Sequence, residues 1–203
     1  MKMDGKYQSA LIIGGSRGIG RELALAISAT GATTHVVARS DTDLAALRAQ
    51  DARIATTAAD ASTDGVAADM LLAVHPDLLI LCVGATPLMA PVQSQSWEEF
   101  SAAWNADVKV AHAFTTAALT QPMQRGGTIV SFSSGAGLSG SRLSGGYAGA
   151  KRMQHFLTEY AQREADDLDL GLRFLSVIPK QLEIVTEKGQ GAAVAYAAAV
   201  GQR

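Results

Sequence analysis

The chain has 203 residues, 48% of them hydrophobic and 18% charged, with a formal net charge of -2. That length and composition predict one domain, residues 1–203, with a sizeable core, and exclude global disorder. The near-neutral charge argues against a nucleic-acid binder, no polybasic run suggests an anionic membrane surface, and the longest apolar stretch, Leu78 to Val83, falls far short of the ~20 residues a membrane helix needs. One cysteine, Cys82, leaves no intrachain disulfide and no cysteine zinc site. With no apolar signal region in the first nine residues, the expectation is a cytoplasmic protein.

Short apolar runs alternate with helical patterns along the chain. Ser9 to Ile13 reads as a buried strand, and Ile19 to Ala29 as a helix with apolar residues at Ile19, Leu23, Ala26 and Ile27. Thr33 to Ala38 is a second strand. Ser40 or Asp41 can cap a helix to about Ala49, and Arg53 to Ala58 is a weaker third strand. Ser62 can cap a helix to about Val74, stopped by His75-Pro76. Asp77 to Val83 suits a central parallel strand, because both of its faces are apolar. Ser96 and Glu99 form a capping box that opens a helix to about Leu119. Thr128 to Phe132 is a fifth strand, Ser133 to Gly146 a loop, Tyr147 to Ala165 a helix, and Leu172 to Ile178 a sixth strand stopped by Pro179. The alternation predicts an α/β fold, a Rossmann-like doubly wound parallel sheet flanked by helices. Ligands of such sheets bind beyond the carboxyl ends of the strands.

The first such loop is Gly14-Gly15-Ser16-Arg17-Gly18-Ile19-Gly20. Glycines permit a tight turn and let the backbone approach a pyrophosphate, and the helix N-terminus adds partial positive charge. The alternative, a tight turn with no ligand, is weakened by the loop's place at the first strand-to-helix junction. An NAD site wants a carboxylate at the end of the second strand; this chain has Ala38, Arg39 and Ser40. Arg39 can fork onto a 2′-phosphate, Ser40 can add a hydroxyl, and Arg17 can reach the same group, so the expected cofactor is NADP(H). Asp60, followed by Ala61, either accepts from the adenine amino group or serves as a turn residue.

Tyr147 and Lys151 lie four apart on one helix and so share a face. A nearby ammonium stabilises phenolate, which suits a tyrosine to general acid/base work. Ser134, just after the fifth strand, is expected to meet Tyr147 in the cleft.

With these elements the chain resembles the short-chain dehydrogenase/reductase family. The matching residues are Gly14, Gly18 and Gly20, then Asp60, the Val83-Gly84 loop, Asn105, Ser134, Tyr147, Lys151 and Pro179, in the family's order, over roughly residues 9 to 180. The resemblance implies a hydride transfer between nicotinamide and a carbonyl or secondary alcohol. It gives Tyr147 the role of acid or base, Lys151 that of holding the nicotinamide ribose, and Ser134 that of orienting the carbonyl. It implies that Asn105 lets its helix hold a water in a proton relay. It also implies a homodimer or homotetramer formed through the two long helices.

The sequence departs from the family pattern in three places. Leu81-Cys82-Val83-Gly84 stands where the family has asparagines before Ala-Gly. Pro179-Lys180-Gln181 replaces Pro-Gly, and the nearest threonine, Thr186, is displaced. About two dozen residues follow Pro179, with one short helix expected over 191–199, where the family has a lid, a helix and a last strand. A short family branch, a truncated chain and a non-enzyme all fit that tail. Leu88, Met89, Leu138, Leu143 and Leu182 suggest a mostly apolar substrate pocket. Histidines 35, 75, 112 and 155 show no metal-ligand spacing, and no metal is expected. The leading expectation is an NADP(H)-dependent carbonyl reductase; the alternative is a catalytically weak nucleotide sensor or interaction protein of the same fold.

Overall fold

The computed structural model describes residues 6–120 and 123–179. Six strands form one sheet: β1 (Ser9–Ile13), β2 (Thr33–Ala38), β3 (Ala55–Ala58), β4 (Leu78–Leu81), β5 (Thr128–Phe132) and β6 (Arg173–Val177). They lie in the order β3-β2-β1-β4-β5-β6, and every pairing is parallel. The order reverses between β1 and β4, where a doubly wound sheet opens its ligand crevice. The helices are α1 (Gly18–Ala29), α2 (Asp41–Gln50), α3 (Val66–Val74), α4 (Trp97–Ala103), α5 (Lys109–Thr120), α6 (Ala136–Ser139) and α7 (Gly145–Asp167).

β1 is apolar on both faces because both faces are covered. Leu11 and Ile13 join one core with Phe114, Leu157 and Ala161; Ala10 and Ile12 join the other with Ile27, Leu44 and Leu47. Successive side chains of a strand alternate in direction, so a central parallel strand needs apolar residues at every position. Among the described residues no helix is long and apolar enough to cross a membrane.

The sequence places β1, β2 and β5 where the structure has them. Four other expectations need correction. α3 begins at Val66 after Gly65 (φ 88°), not at Ser62, because the Ser62 N–H and hydroxyl both donate to Asp60 Oδ1 in a turn. β4 is shorter at both ends, Leu78–Leu81; at its start the Asp77 carboxylate accepts from the N–H groups of Gln8 and Ser9 while the Asp77 N–H donates to the Ser9 carbonyl. The expected helix from Ser96 to Leu119 does start with the Ser96–Glu99 capping box, but a π-helical turn over Trp104–Val108 divides it into α4 and α5. The Ser133–Gly146 loop contains the short α6, and α7 starts at Gly145. The expected helix over 191–199, together with Lys180, Gln181, Leu182 and Thr186, lies outside the described residues.

Candidate active site

The glycine loop joins β1 to α1 and meets the loop after β4. Gly14 has φ 81°, and a Cβ there would lie 2.9 Å from the Val83 nitrogen. A Cβ on Gly20 would lie 2.5 Å from the Gly14 carbonyl oxygen, so only glycine lets the first turn of α1 fold back onto the loop. A Cβ on Gly18 (φ 56°) would meet nothing, which leaves the space over the loop open. The N-cap Arg17 makes no side-chain cap bond, and the first turn of α1 carries no acidic residue. The first-turn N–H groups and the helix dipole therefore favour an anion there, and the cradle fits a dinucleotide pyrophosphate. Ser16 is nearly buried and Ile19 half-buried in the same turn.

Arg39 follows β2 and is exposed. Ser40 is the N-cap of α2, its Oγ accepting from the Asp43 N–H at 3.1 Å, which leaves its own hydroxyl proton free to donate. Asp60, after β3, is a turn residue in the structure. The Ser62 N–H and hydroxyl, followed by the charges of Arg39 and Lys109, hold its carboxyl below the usual carboxylate range. Ala61 behind it is buried.

The second half of the sheet gathers different chemistry. Ser134 follows β5 and accepts from the Ala136 N–H at 3.2 Å, opening α6. Its neighbour Ser133, which the sequence reading missed, is buried and donates to the Lys151 carbonyl at 2.7 Å, tying the end of β5 to α7. Tyr147 sits in the first turn of α7, and the Lys151 Nζ lies 5.7 Å from its ring centroid. Gly135 N–H donates to the Pro179 carbonyl at 2.9 Å, joining the loops that follow β5 and β6.

Lys151 is buried, its side chain 4% exposed. Its Nζ donates to Gln154 Oε1 at 2.8 Å and lies 2.9 Å from Oδ2 of Asp107, whose side chain is fully buried. That oxygen has no aligned hydrogen-bond donor, so the contact with the ammonium is an ion pair and the positive charge is what compensates it. Asp107 Oδ1 accepts from the Ala85 N–H at 2.6 Å, and Gln154 Nε2 donates to the Asp107 carbonyl at 3.2 Å. Helix α7, the π-helical turn and the loop after β4 are thus closed into one buried polar network.

Asn105 is not brought into this network. It is exposed, and its Nδ2 reaches back to Ser101 Oγ at 3.4 Å. The buried polar side chain of this helical segment is Asp107, two residues on. The signal was present: Ala103, Asp107, Val110, Ala111 and Phe114 form one buried helical stripe, and a carboxylate on an apolar stripe needs a buried partner.

The expected pocket residues divide between rim and interior. Leu88 and Leu138 are exposed, whereas Leu143 is buried and its carbonyl accepts from the Ala90 N–H. A separate groove of about 460 Å³, lined in part by His155, Arg163 and Phe174, contains none of the predicted site residues. Among the described residues no cluster of histidine, cysteine or acidic side chains suits a metal ion.

A family model described as short chain dehydrogenase matches residues 8–191. An uncharacterized oxidoreductase of Mycobacterium tuberculosis (strain CDC 1551 / Oshkosh) is 31% identical over 181 residues, covering 84% of this chain and 67% of that protein. The crystal structure of a Brucella melitensis protein described as a short-chain dehydrogenase/reductase, glucose/ribitol dehydrogenase, superposes with a TM-score of 0.81 at 22% identity. That match covers 95% of this chain and 79% of the other and speaks for the fold.

Proposed function

The chain belongs to the short-chain dehydrogenase family of oxidoreductases, whose members use nicotinamide cofactors, and we propose that it is an NADP(H)-dependent carbonyl reductase with Tyr147 as general acid/base. The observation that carries this reading is the buried Lys151 ammonium beside the Tyr147 ring, on the strand-carboxyl side of the sheet that also holds the glycine cradle.

Bound NADPH would supply the hydride to the carbonyl carbon. Gly14, Ser16, Gly18, Ile19 and Gly20 would hold the pyrophosphate, and Val83 and Gly84 would line the crevice wall. Arg39, Ser40 and Arg17 would take the 2′-phosphate, the guanidinium of Arg39 through charge-assisted bonds. Asp60, with Ala61 beside it, would face the adenine, and Pro179 would border the nicotinamide end. Ser134 would donate its hydroxyl proton to the substrate oxygen and orient it. Tyr147 would give its phenolic proton to that oxygen as the hydride arrives, leaving a phenolate that the Lys151 ammonium stabilises. In alcohol oxidation the same phenol oxygen would take the proton back. The substrate class is a ketone or aldehyde, or the matching secondary alcohol, with an apolar flank beside Leu88, Met89 and Leu138.

A homodimer or homotetramer belongs to the same proposal. Phe156 and Tyr160 stack on one another on α7 and are 55% and 50% exposed, an apolar face suited to a second copy. A cytoplasmic location completes it.

A second reading, a nucleotide sensor with little turnover, is favoured by the Asp107 carboxylate already paired with Lys151. Side-by-side fluorescence titrations with NADPH and NADH, followed by a ketone-reduction assay, test both. Tighter NADPH binding with turnover is the expected result. NADPH binding without turnover would favour the sensor, and no binding of either nucleotide would overturn both.

A further inference from the structure

In the reacting half of the sheet, the loops at the carboxyl ends of the strands are almost free of charge. The loop over residues 82–95 after β4 has no charged residue, and the stretch over residues 133–146 between β5 and Tyr147 has one, Arg142. Ile178 and Pro179, the described residues after β6, add none. The mouth above Ser134 and Tyr147 is thus bordered by apolar groups, the exposed Leu88 and Leu138 among them, and by a single guanidinium.

The backbone around Arg142 is braced. The Ser144 N–H donates to the Ser141 carbonyl at 3.1 Å, and Ser144 Oγ accepts from the Ser141 N–H at 2.8 Å. Ser141 Oγ accepts from the Leu143 N–H at 3.2 Å. These bonds close a tight turn and occupy the serine hydroxyls on either side of the arginine. Leu143 is buried, and its carbonyl accepts from the Ala90 N–H at 2.9 Å, which fastens the turn to the loop after β4. The Ser144 carbonyl accepts from the Ala148 N–H at 2.6 Å, which fastens it to α7 one residue beyond Tyr147.

The side chain of Arg142 has no such engagement. It is exposed, and among the described residues no carboxylate lies within ion-pair distance of it. Arg21, Arg48, Arg53 and Arg125 each have a carboxylate partner. Helix α4, which packs on α7, brings Glu98 and Glu99, and Glu99 is held in the Ser96 capping box. The other exposed cation nearby is Arg152 of α7, whose backbone packs against Gly137 of α6. A guanidinium offers a planar fork of donors that matches a carboxylate or a phosphate, and apolar walls screen that attraction less than water does.

We infer that Arg142 is a specificity-determining residue: it receives an anionic group, a carboxylate or a phosphate, at the far end of the carbonyl substrate. The substrate class then narrows to oxo acids or oxo phosphates with an apolar spacer between anion and carbonyl. The inference rests on the reading of Ser134 and Tyr147 as the groups that meet the carbonyl.

The test uses the full chain with NADPH and three methyl-ketone acids, levulinate, 5-oxohexanoate and 7-oxooctanoate, each beside its methyl ester. In the parent at least one acid should exceed its ester in kcat/KM by about tenfold, the scale of one charge-assisted bond. Arg142→Gln should bring that ratio to about one, and Arg142→Lys, a cation without the fork, should keep part of it. Arg152→Gln should leave the ratio as it is; an equal loss there would overturn the inference in favour of a general surface field. The phosphate arm compares 4-oxopentyl phosphate with its alcohol, 5-hydroxypentan-2-one, and the larger ratio identifies the anion. Ratios of about one for every pair, in a parent that reduces the neutral ketones, would overturn the inference and leave the carbonyl-reductase reading standing.

A second readout needs no turnover. In the chain loaded with NADP+, labelling of Arg142 by phenylglyoxal is followed by peptide mass spectrometry. The acids or the phosphate should slow that labelling severalfold, and the neutral counterparts should not. Equal labelling with and without the anions would overturn the inference. Protection of Arg142 in a parent that binds NADPH but reduces no carbonyl would overturn the carbonyl-reductase reading and keep Arg142 as the anion contact of the cleft.

Discussion

The cofactor-side half of the sheet, β1 to β3, and the reacting half, β4 to β6, build their sites by different means. The first relies on backbone and neighbours in sequence. Its cradle is one stretch from Gly14 to Gly20, and its caps are Ser40 over Asp43 and Asp60 over Ser62. The second relies on side chains that meet across the fold. Gln154 reaches Asp107 over 47 residues, and Ser133 reaches Lys151 over 18. A backbone-built site tolerates changes in side chains that point away from it, whereas a buried polar network fails as a unit when one member is left unpaired.

The largest expected effect falls in the reacting half. Tyr147→Phe should lower kcat by about a thousandfold and leave NADPH affinity within about twofold, because it removes a proton donor and keeps the ring. Steady-state kinetics beside a binding titration checks it, and a normal kcat would show that the proton comes from elsewhere. Next comes the cradle. Gly20→Ala forces a Cβ against the Gly14 carbonyl and should weaken NADPH and NADH alike by roughly a hundredfold, since both share the pyrophosphate. A loss confined to one nucleotide would break the comparison, because the loop would then be reading the 2′ position.

Arg39→Asp should weaken NADPH by about ten- to a hundredfold and NADH by little, the range for losing a charge-assisted pair. Equal losses would remove the 2′-phosphate assignment. Ser40→Ala should cost about 1 kcal/mol of stability through the lost cap of α2, read by chemical denaturation. It should also weaken NADPH somewhat more than NADH.

The smallest effect concerns acid. The Arg53 guanidinium, and then the Ser28 hydroxyl, hold the Asp51 carboxyl well below the usual carboxylate range. Such a group stabilises the fold above its unfolded value of about 4 and loses that contribution as pH falls through and below it. Asp51→Asn should therefore flatten the acid side of the stability curve, lowering stability modestly at pH 7 and converging with the parent at low pH. An unchanged acid limb would show that this pair, with its exposed Arg53, contributes nothing measurable.

The same contrast sets how far the sequence could be read. Ser96 and Glu99 announce the start of α4 because a capping box is local. The π-helical turn that follows was not legible, since the chain from Ser96 to Leu119 carries an unbroken helical pattern with neither proline nor glycine. Ser62 was misread as a cap because Asp60 competes for the same hydroxyl and N–H, and sequence does not rank those two bonds. Asn105 drew attention by residue type, whereas Asp107 was identifiable only by asking what lies on the buried stripe.

The sequence alone determined the alternation of strands and helices, the glycine cradle, the basic end of β2 and the Tyr147–Lys151 spacing, because each is written in residues within a turn or two of one another. Tertiary structure decided the partner of Lys151, the π-helical turn that carries Asp107, the tie from Ser133 to α7, and the distance of Asn105 from all of them. The physical reason is burial: a charge inside a fold must find its counter-charge among whatever elements pack against it, and that choice is made by the packing of α5 and α7.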